Sequence, residues 1–203
     1  MMSKIEQIRA ISKAIEADPL TSLKNKYVKV SEYANGIYYD PNYISPISKS
    51  AHNLDSKILI VLQDWNATDT LDSQNRTDEH INTGIDLRLV TFKRLSELLK
   101  QYVGISIEET YVINVFPYIK IGHASTNIPM ADYYYACKKF IVPFINILKP
   151  QQIISVGAKP HQVLQKCNID SVAVPHTGSR GTNNAGGMIN VHKKWEQLSF
   201  LTR

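Results

Sequence analysis

The hydrophobic positions of this chain predict a helical start, an irregular arm and then a regular alternation of strands and helices. A first helix is predicted over Lys4 to Ala17, because its isoleucines recur three or four residues apart: Ile5, Ile8, Ile11 and Ile15. Residues 27–50 are rich in Tyr, Asn, Pro and Ser and carry several turn signals, which is typical of an irregular arm. We therefore expect residues 1–50 to form a helix and arm packed on a domain built by residues 51–203.

Four short runs after Lys57 are apolar on both faces, as strands buried between two layers are. These runs are Ile58–Leu62, Thr110–Phe116, Ile153–Val156 and Ser171–Val174. Helical patterns follow them at Leu87–Tyr102, Pro129–Leu148 with a kink at Pro143, Pro160–Lys166 and Ile189–Leu198. The alternation predicts an α/β fold, a three-layer α/β/α sandwich with a central four-stranded parallel sheet.

Composition limits the class of protein further. The 203 residues suit one domain with an N-terminal extension, and 43% hydrophobic residues are enough to form a core. No apolar run approaches the roughly 20 residues that a bilayer span requires, and we see no signal-peptide core, so we expect a cytoplasmic protein without membrane contact. The two cysteines, Cys137 and Cys167, can form neither a disulfide framework nor a tetrathiolate cluster alone.

Polar side chains follow the predicted strands, at the edge where open α/β sheets bind their ligands. The segments are Gln63–Asn66 after the first strand, Asn114–Phe116 in the second, Gly157–Lys159 after the third and Pro175–Arg180 after the fourth. We therefore expect the Asp64 carboxylate, the Asn114 carboxamide and the His176 imidazole to converge on one site.

These motifs, in this order, resemble those of the uracil-DNA glycosylase superfamily over about residues 57 to 198. Gln63-Asp64 stands where one family has Gly-Gln-Asp-Pro-Tyr-His, and Asn114 fits the superfamily's base-recognising Asn. The helix with Cys137-Lys138-Lys139-Phe140, followed by Lys149-Pro150, is similar to the superfamily's helix before its third strand. His176-Thr177-Gly178 is like a divergent His-Pro-Ser motif.

The resemblance implies a monomeric, monofunctional DNA glycosylase that needs no metal or other cofactor. Such an enzyme flips a uracil or 5-substituted pyrimidine out of DNA and hydrolyses its N-glycosidic bond, leaving an abasic site. Asp64 would stabilise the sugar cation and orient water, while His176 would donate a hydrogen bond to the departing base. The implied base-binding residues are Gln63, Trp65, Asn66, Asn114 and Phe116, with Trp65 or Phe116 stacking on the base. The implied DNA-binding residues are Lys120, Lys159, Ser179 and Arg180.

Asn66 aligns with the Tyr that excludes the 5-methyl group of thymine in the family, and it is smaller. An open pocket around C5 allows either uracil, in base-excision repair, or a modified base, in defence against phage DNA. The formal charge of +5, from 23 Lys and Arg against 18 Asp and Glu, permits a DNA partner. We expect cations at the crevice edge to share one surface, with Glu108 and Glu109 elsewhere; they are Lys120, His123, Lys159, Arg180, Lys193 and Lys194.

Other interpretations of the same residues stay open. Asp64 could cap a turn, Asn114 could be a buried structural hydrogen-bonder, and His176 could only position its loop. The chain would then be a catalytically eroded glycosylase-like module that binds DNA or protein. A small-molecule α/β enzyme is a further alternative, although the chain lacks Gly-x-Gly-x-x-Gly, Gly-x-x-x-x-Gly-Lys and Gly-x-Ser-x-Gly motifs.

Overall fold

The computed structural model describes residues 2–39, 53–73, 87–178 and 183–198. Within these ranges the strands are β1 Tyr27–Val28, β2 Ile58–Leu62, β3 Tyr111–Asn114, β4 Ile119–Lys120, β5 Gln152–Val156 and β6 Val172–Val174. The helices are α1 Lys4–Ala17, α2 Thr68–Ser73, α3 Val90–Leu98, α4 Met130–Ala136, α5 Val142–Leu148, α6 Ala158–Lys166 and α7 Met188–Glu196. One π-helical turn, Leu99–Val103, continues α3, and another, Cys137–Ile141, joins α4 to α5.

Four parallel strands, in the order β3-β2-β5-β6, form the central sheet. The chain first adds β3 on one side of β2 and then crosses to add β5 on the other, so the direction of growth reverses at β2. The register pairs Leu62 with Asn114 and Val156 with Val174, which brings the carboxyl ends of the strands to one edge. That edge, beside the reversal, is where open α/β sheets form their binding crevice.

Alternate residues of β2, β3 and β5 face two separate cores, because side chains of a strand point to opposite faces. In β2, Ile60 and Leu62 pack on one face with residues of α3 and α7. Leu59 and Val61 pack on the other face with residues of α1, α4, α5 and α6. The fold is therefore mixed α/β with a four-stranded all-parallel sheet between helices, as the apolar runs predicted.

Several predicted elements are confirmed, including α1 and β2 at the predicted bounds. The long helical segment predicted over Pro129 to Leu148 is present, and its irregularity lies just before Pro143, in the π-helical turn Cys137–Ile141. Pro143, near the start of α5, has no backbone N–H to donate, and its ring disfavours a regular turn before it. The Val142 N–H accordingly bonds to the carbonyl of Cys137, five residues back.

The arm predicted to be irregular contains one strand. β1 pairs antiparallel with β4, with Tyr27 opposite Lys120 and Val28 opposite Ile119. Strands of two residues carry no periodic signal, which is why the sequence did not indicate this ribbon. The rest of the arm from residue 40 to 50 lies outside the described residues.

The segment that follows α1 is attached to the domain through Asp18, whose side chain is fully buried. Its carboxylate accepts hydrogen bonds from the hydroxyls of Tyr118 at 2.9 Å and Tyr135 at 3.0 Å, and from the Lys139 ammonium at 3.3 Å. Burial alone raises the pKa of Asp18, but these bonds and one from the Leu20 N–H outweigh burial and lower it. The N-terminal segment is thus tied to the domain by an ionised, fully bonded carboxylate.

Asp18→Ala is expected to lower the free energy of unfolding by about 1–3 kcal/mol, because it leaves the buried Tyr118 hydroxyl without its acceptor. Urea unfolding measures the change. Asp55→Ala is the matched control, since the Asp55 side chain is 93% exposed and its pair with Lys4 lies at the surface. Equal losses in the two variants would contradict the importance of the buried network.

Candidate functional site

A cavity of about 420 Å³ opens at the carboxyl edge of the sheet, next to β2. Small-molecule sites are typically about 300–1,000 Å³, so the cavity has the size of a ligand pocket. Its walls are formed by Leu62, Gln63, Asp64, Trp65, Asn66, Leu71, Leu89, Thr91, Phe92, Asn114, Lys120, Ala124 and His176. The structure therefore brings together the carboxylate, the carboxamide and the imidazole that the strand ends predicted.

Asp64 is held in one orientation by three side chains. Its Oδ2 accepts hydrogen bonds from Gln63 Nε2 and from the Tyr133 hydroxyl, both at 2.8 Å. Its Oδ1 lies 3.5 Å from Lys120 Nζ, and only 9% of the Asp64 side chain is exposed. Burial and the adjacent carboxylate raise the pKa of Tyr133 far above its usual value, so the phenol remains a donor.

Asn114 ends β3, and its residue is 1% exposed. Neither the oxygen nor the nitrogen of its side-chain amide has a hydrogen-bond partner among the described residues. A buried amide without partners costs about 1–3 kcal/mol. An amide in a cavity wall that no described residue satisfies can bond with a ligand that presents both a donor and an acceptor.

His176 follows β6 in a loop that the Thr-Gly pair anchors. The buried Thr177 hydroxyl bonds to the Thr91 carbonyl at 2.8 Å, and the Gly178 N–H donates to His176 Nδ1 at 2.9 Å. A Cβ on Gly178 would lie 3.0 Å from the imidazole ring and from the Thr91 hydroxyl, so a larger residue here would require these neighbours to shift. Since Nδ1 accepts, the neutral imidazole carries its proton on Nε2 and can donate it to a ligand.

Electrostatics keep that imidazole neutral near pH 7. Burial lowers the pKa of His176, and the nearby Asp64 carboxylate raises it by less. The site thus combines a carboxylate with an uncharged hydrogen-bond donor. These are the two groups that stabilise a cation on one side of a breaking bond and a developing anion on the other.

The aromatic residues divide between the cavity and the core. Trp65 lines the cavity and packs against Tyr38, with ring centroids 5.7 Å apart, and its indole N–H has no partner among the described residues. Phe116 is fully buried in the opposite core, against the rings of Tyr27 and Tyr133. Of the two stacking candidates, the structure brings only Trp65 to the cavity wall.

Phe92, Leu89 and Thr91 in and before α3 are cavity residues that the sequence did not indicate. Their helix packs from the other side of the cavity, and nothing in the periodicity of an amphipathic helix marks which apolar residues face a ligand. Tyr133 packs α4 into the core and also holds Asp64.

Lys120, predicted to contact DNA, is not on the surface. It is 5% exposed, donates to the Ala124 carbonyl at 3.1 Å and faces Asp64. The expectation of a surface cation is corrected here, because the β1–β4 ribbon turns this side chain inward to the cavity. Ser179 and Arg180 lie outside the described residues.

Lys159 lines a second cavity of about 610 Å³ that shares Gln63 and His176 with the first. A third, of about 480 Å³, shares Pro175 and Ala185 with the second and is lined by Lys193 and Lys194. With Lys120 in the first cavity, four of the expected cations thus line these three adjoining cavities. His123 is exposed and bonds to Asp69, and Glu109 lines a different cavity with the start of β5. A DNA-facing surface remains a prediction.

In the described part of the chain, no three His, Cys, Asp or Glu side chains come close enough to hold a metal ion. No helix within the described ranges is long and apolar enough to cross a membrane. No protein-family model matches the chain, and no curated protein matches it either. The function is therefore argued from the site itself.

His176→Gln is expected to make stability less sensitive to acid. In the unfolded protein the pKa of His176 is about 6.5, and in the folded protein it is lower. Around that pH the unfolded state therefore binds more protons than the folded state does. The free energy of unfolding consequently decreases as the pH falls through that region. Gln removes this proton and keeps an acceptor for the Gly178 N–H. Urea unfolding at about pH 7.5 and about pH 5.5 measures the difference. An equal loss on acidification in both proteins would contradict the burial of a neutral imidazole.

Proposed function

We propose that this protein is a DNA glycosylase that flips a pyrimidine-type base into the cavity beside β2 and hydrolyses its N-glycosidic bond. The proposal rests first on the Asn114 amide, which is buried at the cavity wall and has no partner in the described protein. The Watson–Crick edge of a pyrimidine presents adjacent donor and acceptor groups, and one carboxamide can bond to both. The bound base would thereby supply the hydrogen bonds that the fold leaves unmade.

The proposed mechanism uses the two other polar groups of the cavity. As the bond to the base lengthens, positive charge develops on the sugar and negative charge on the base. Asp64, held by Gln63 and Tyr133, would stabilise the sugar cation and orient the attacking water. His176 would donate its Nε2 proton in a hydrogen bond to the departing base.

The substrate class follows from the wall near Asn66. Asn66 is exposed and lines the cavity, and its side chain carries no ring; its amide oxygen accepts a bond from the Ala67 N–H at 3.2 Å. A cavity of this kind accommodates a substituent at C5, as well as the bare uracil ring. We therefore propose uracil or a 5-substituted pyrimidine, and a role in base-excision repair or in defence against phage DNA with modified bases.

Asp64→Asn is expected to reduce base release by about 10²–10⁴-fold while leaving fold and DNA binding intact, because the amide cannot balance the cationic charge. The assay is chromatographic detection of free base from duplexes with uracil, thymine and enlarged 5-substituents, each in single- and double-stranded form.

Asp69→Asn is the matched control, since Asp69 bonds to the exposed His123 and takes no part in the cavity wall. It should release base at the rate of the unmodified protein. DNA binding without release from any substrate would overturn the proposal and favour an eroded binding module.

The substitution Asn114→Leu tests whether the Asn114 amide binds the base or only stabilises the fold. We expect a loss of base release of about 10²-fold or more, since a directed hydrogen-bonding group disappears. The free energy of unfolding should be unchanged or higher, because an unpartnered buried amide is removed. Ser155→Ala is the control: Ser155 is equally buried in β5, but its hydroxyl bonds to the Val172 carbonyl at 3.2 Å, so its removal should destabilise. A large destabilisation by Asn114→Leu would indicate a structural role instead.

A further inference from the structure

We propose that Lys120 gives the protein a second activity, cleavage of the DNA strand at an abasic site through a covalent imine. The inference rests on the proposed function, because base release would create the abasic sugar in this cavity. It departs from the expectation of a monofunctional enzyme, and the position of one amine carries it.

Lys120 combines features that an ordinary surface or structural lysine lacks. The residue is 5% exposed, and it forms part of the cavity wall together with Asp64 and Asn114. Its ammonium donates one hydrogen bond, to the Ala124 carbonyl at 3.1 Å, and lies 3.5 Å from Asp64 Oδ1. An ammonium has three N–H groups, so one of them has no partner among the described residues.

The ribbon of β1 and β4 fixes this amine at the cavity. Lys120 pairs with Tyr27 across the ribbon, and its backbone also bridges to Ala67, which follows the Asp64 segment. Burying a charged amine is costly unless a partner offsets the cost, and Asp64 is that partner. Lysine differs here from arginine, because a lysine amine can act as a nucleophile toward a carbonyl group and a guanidinium cannot.

Base hydrolysis leaves a sugar whose ring-opened form exposes an aldehyde at C1′, and amines of lysine form imines with carbonyl groups. Lys120 transfers a proton to Asp64, and the neutral amine adds to the aldehyde carbon. The proton returns from Asp64 to the hydroxyl formed, which leaves as water and gives a protonated imine.

Strand cleavage then follows without any oxidant or reductant. The Asp64 carboxylate takes a proton from C2′, the electron pair of that bond forms a new double bond, and the C3′–O bond breaks. The 3′-phosphate leaves with the electrons of that bond. Water hydrolyses the imine, which releases an unsaturated aldehyde on the DNA and restores the Lys120 amine.

The experiment uses the full chain with a duplex that already contains one abasic site, so it does not depend on base release. Sodium borohydride reduces an imine to a stable amine, and gel electrophoresis then shows a protein–DNA adduct. We expect an adduct with the unmodified protein and only background with Lys120→Arg, which keeps the positive charge beside Asp64 but cannot form the imine.

Lys13→Arg is the matched control, since Lys13 is exposed on α1 and lines neither the cavity around Asp64 nor the one that adjoins it. It should give the adduct at the level of the unmodified protein. Mass spectrometry of the digested adduct should locate the modification on Lys120, and this measurement decides the question even where Lys120→Arg does not fold.

Two results would overturn the inference while leaving the proposed function intact: base release without a trapped adduct, or an adduct that maps to another amine. An adduct on Lys120 without base release from any substrate would instead support the lyase site and remove the proposed glycosylase activity.

Discussion

The structure depends on the reversal of strand order at β2. Because the chain adds β3 on one side of β2 and β5 on the other, the connections leave the sheet in opposite directions and cannot cover its carboxyl edge there. The segment that follows β2 therefore places its own side chains at this uncovered edge: Gln63, Asp64 and Trp65. The register of the parallel strands aligns the ends of β2 and β3. Asn114 lies at the same uncovered edge because it pairs with Leu62.

A buried carboxylate at such an edge needs compensation, and the fold supplies it from elements far apart in sequence. Tyr133 comes from α4 and Lys120 from the ribbon that β4 forms with the N-terminal segment. The arm before the sheet is therefore linked to the site, because β1 holds the strand that carries the amine. The Lys120 ammonium beside Asp64 also affects any reaction that has a cationic intermediate. Its positive charge opposes the stabilisation that the Asp64 carboxylate gives to such an intermediate.

The sheet could be predicted from the sequence because each strand is a continuous apolar run, and strand ends in a parallel sheet share an edge. That logic indicated Asp64, Asn114 and His176, and the structure brings all three to one cavity. It did not indicate the direction of Lys120, because a strand of two residues has no detectable period. Phe116 follows the same strand as Asn114, yet it packs in the core, since proximity in sequence does not fix the face of a chain that leaves the sheet.

The alternative of an eroded site has to explain two features of the cavity that are unfavourable for folding alone. Without a ligand to bind, an apolar side chain in place of Asn114 would fill the same space and avoid burying an amide that no described residue satisfies. Loss of function would likewise relax the close fit of Gly178 against the His176 ring, where a Cβ would lie 3.0 Å from the imidazole. The cavity instead retains an unsatisfied amide, an oriented carboxylate and an imidazole fixed in one tautomer. Such a combination is unfavourable for folding alone and favourable for a polar ligand with charge developing at two sites.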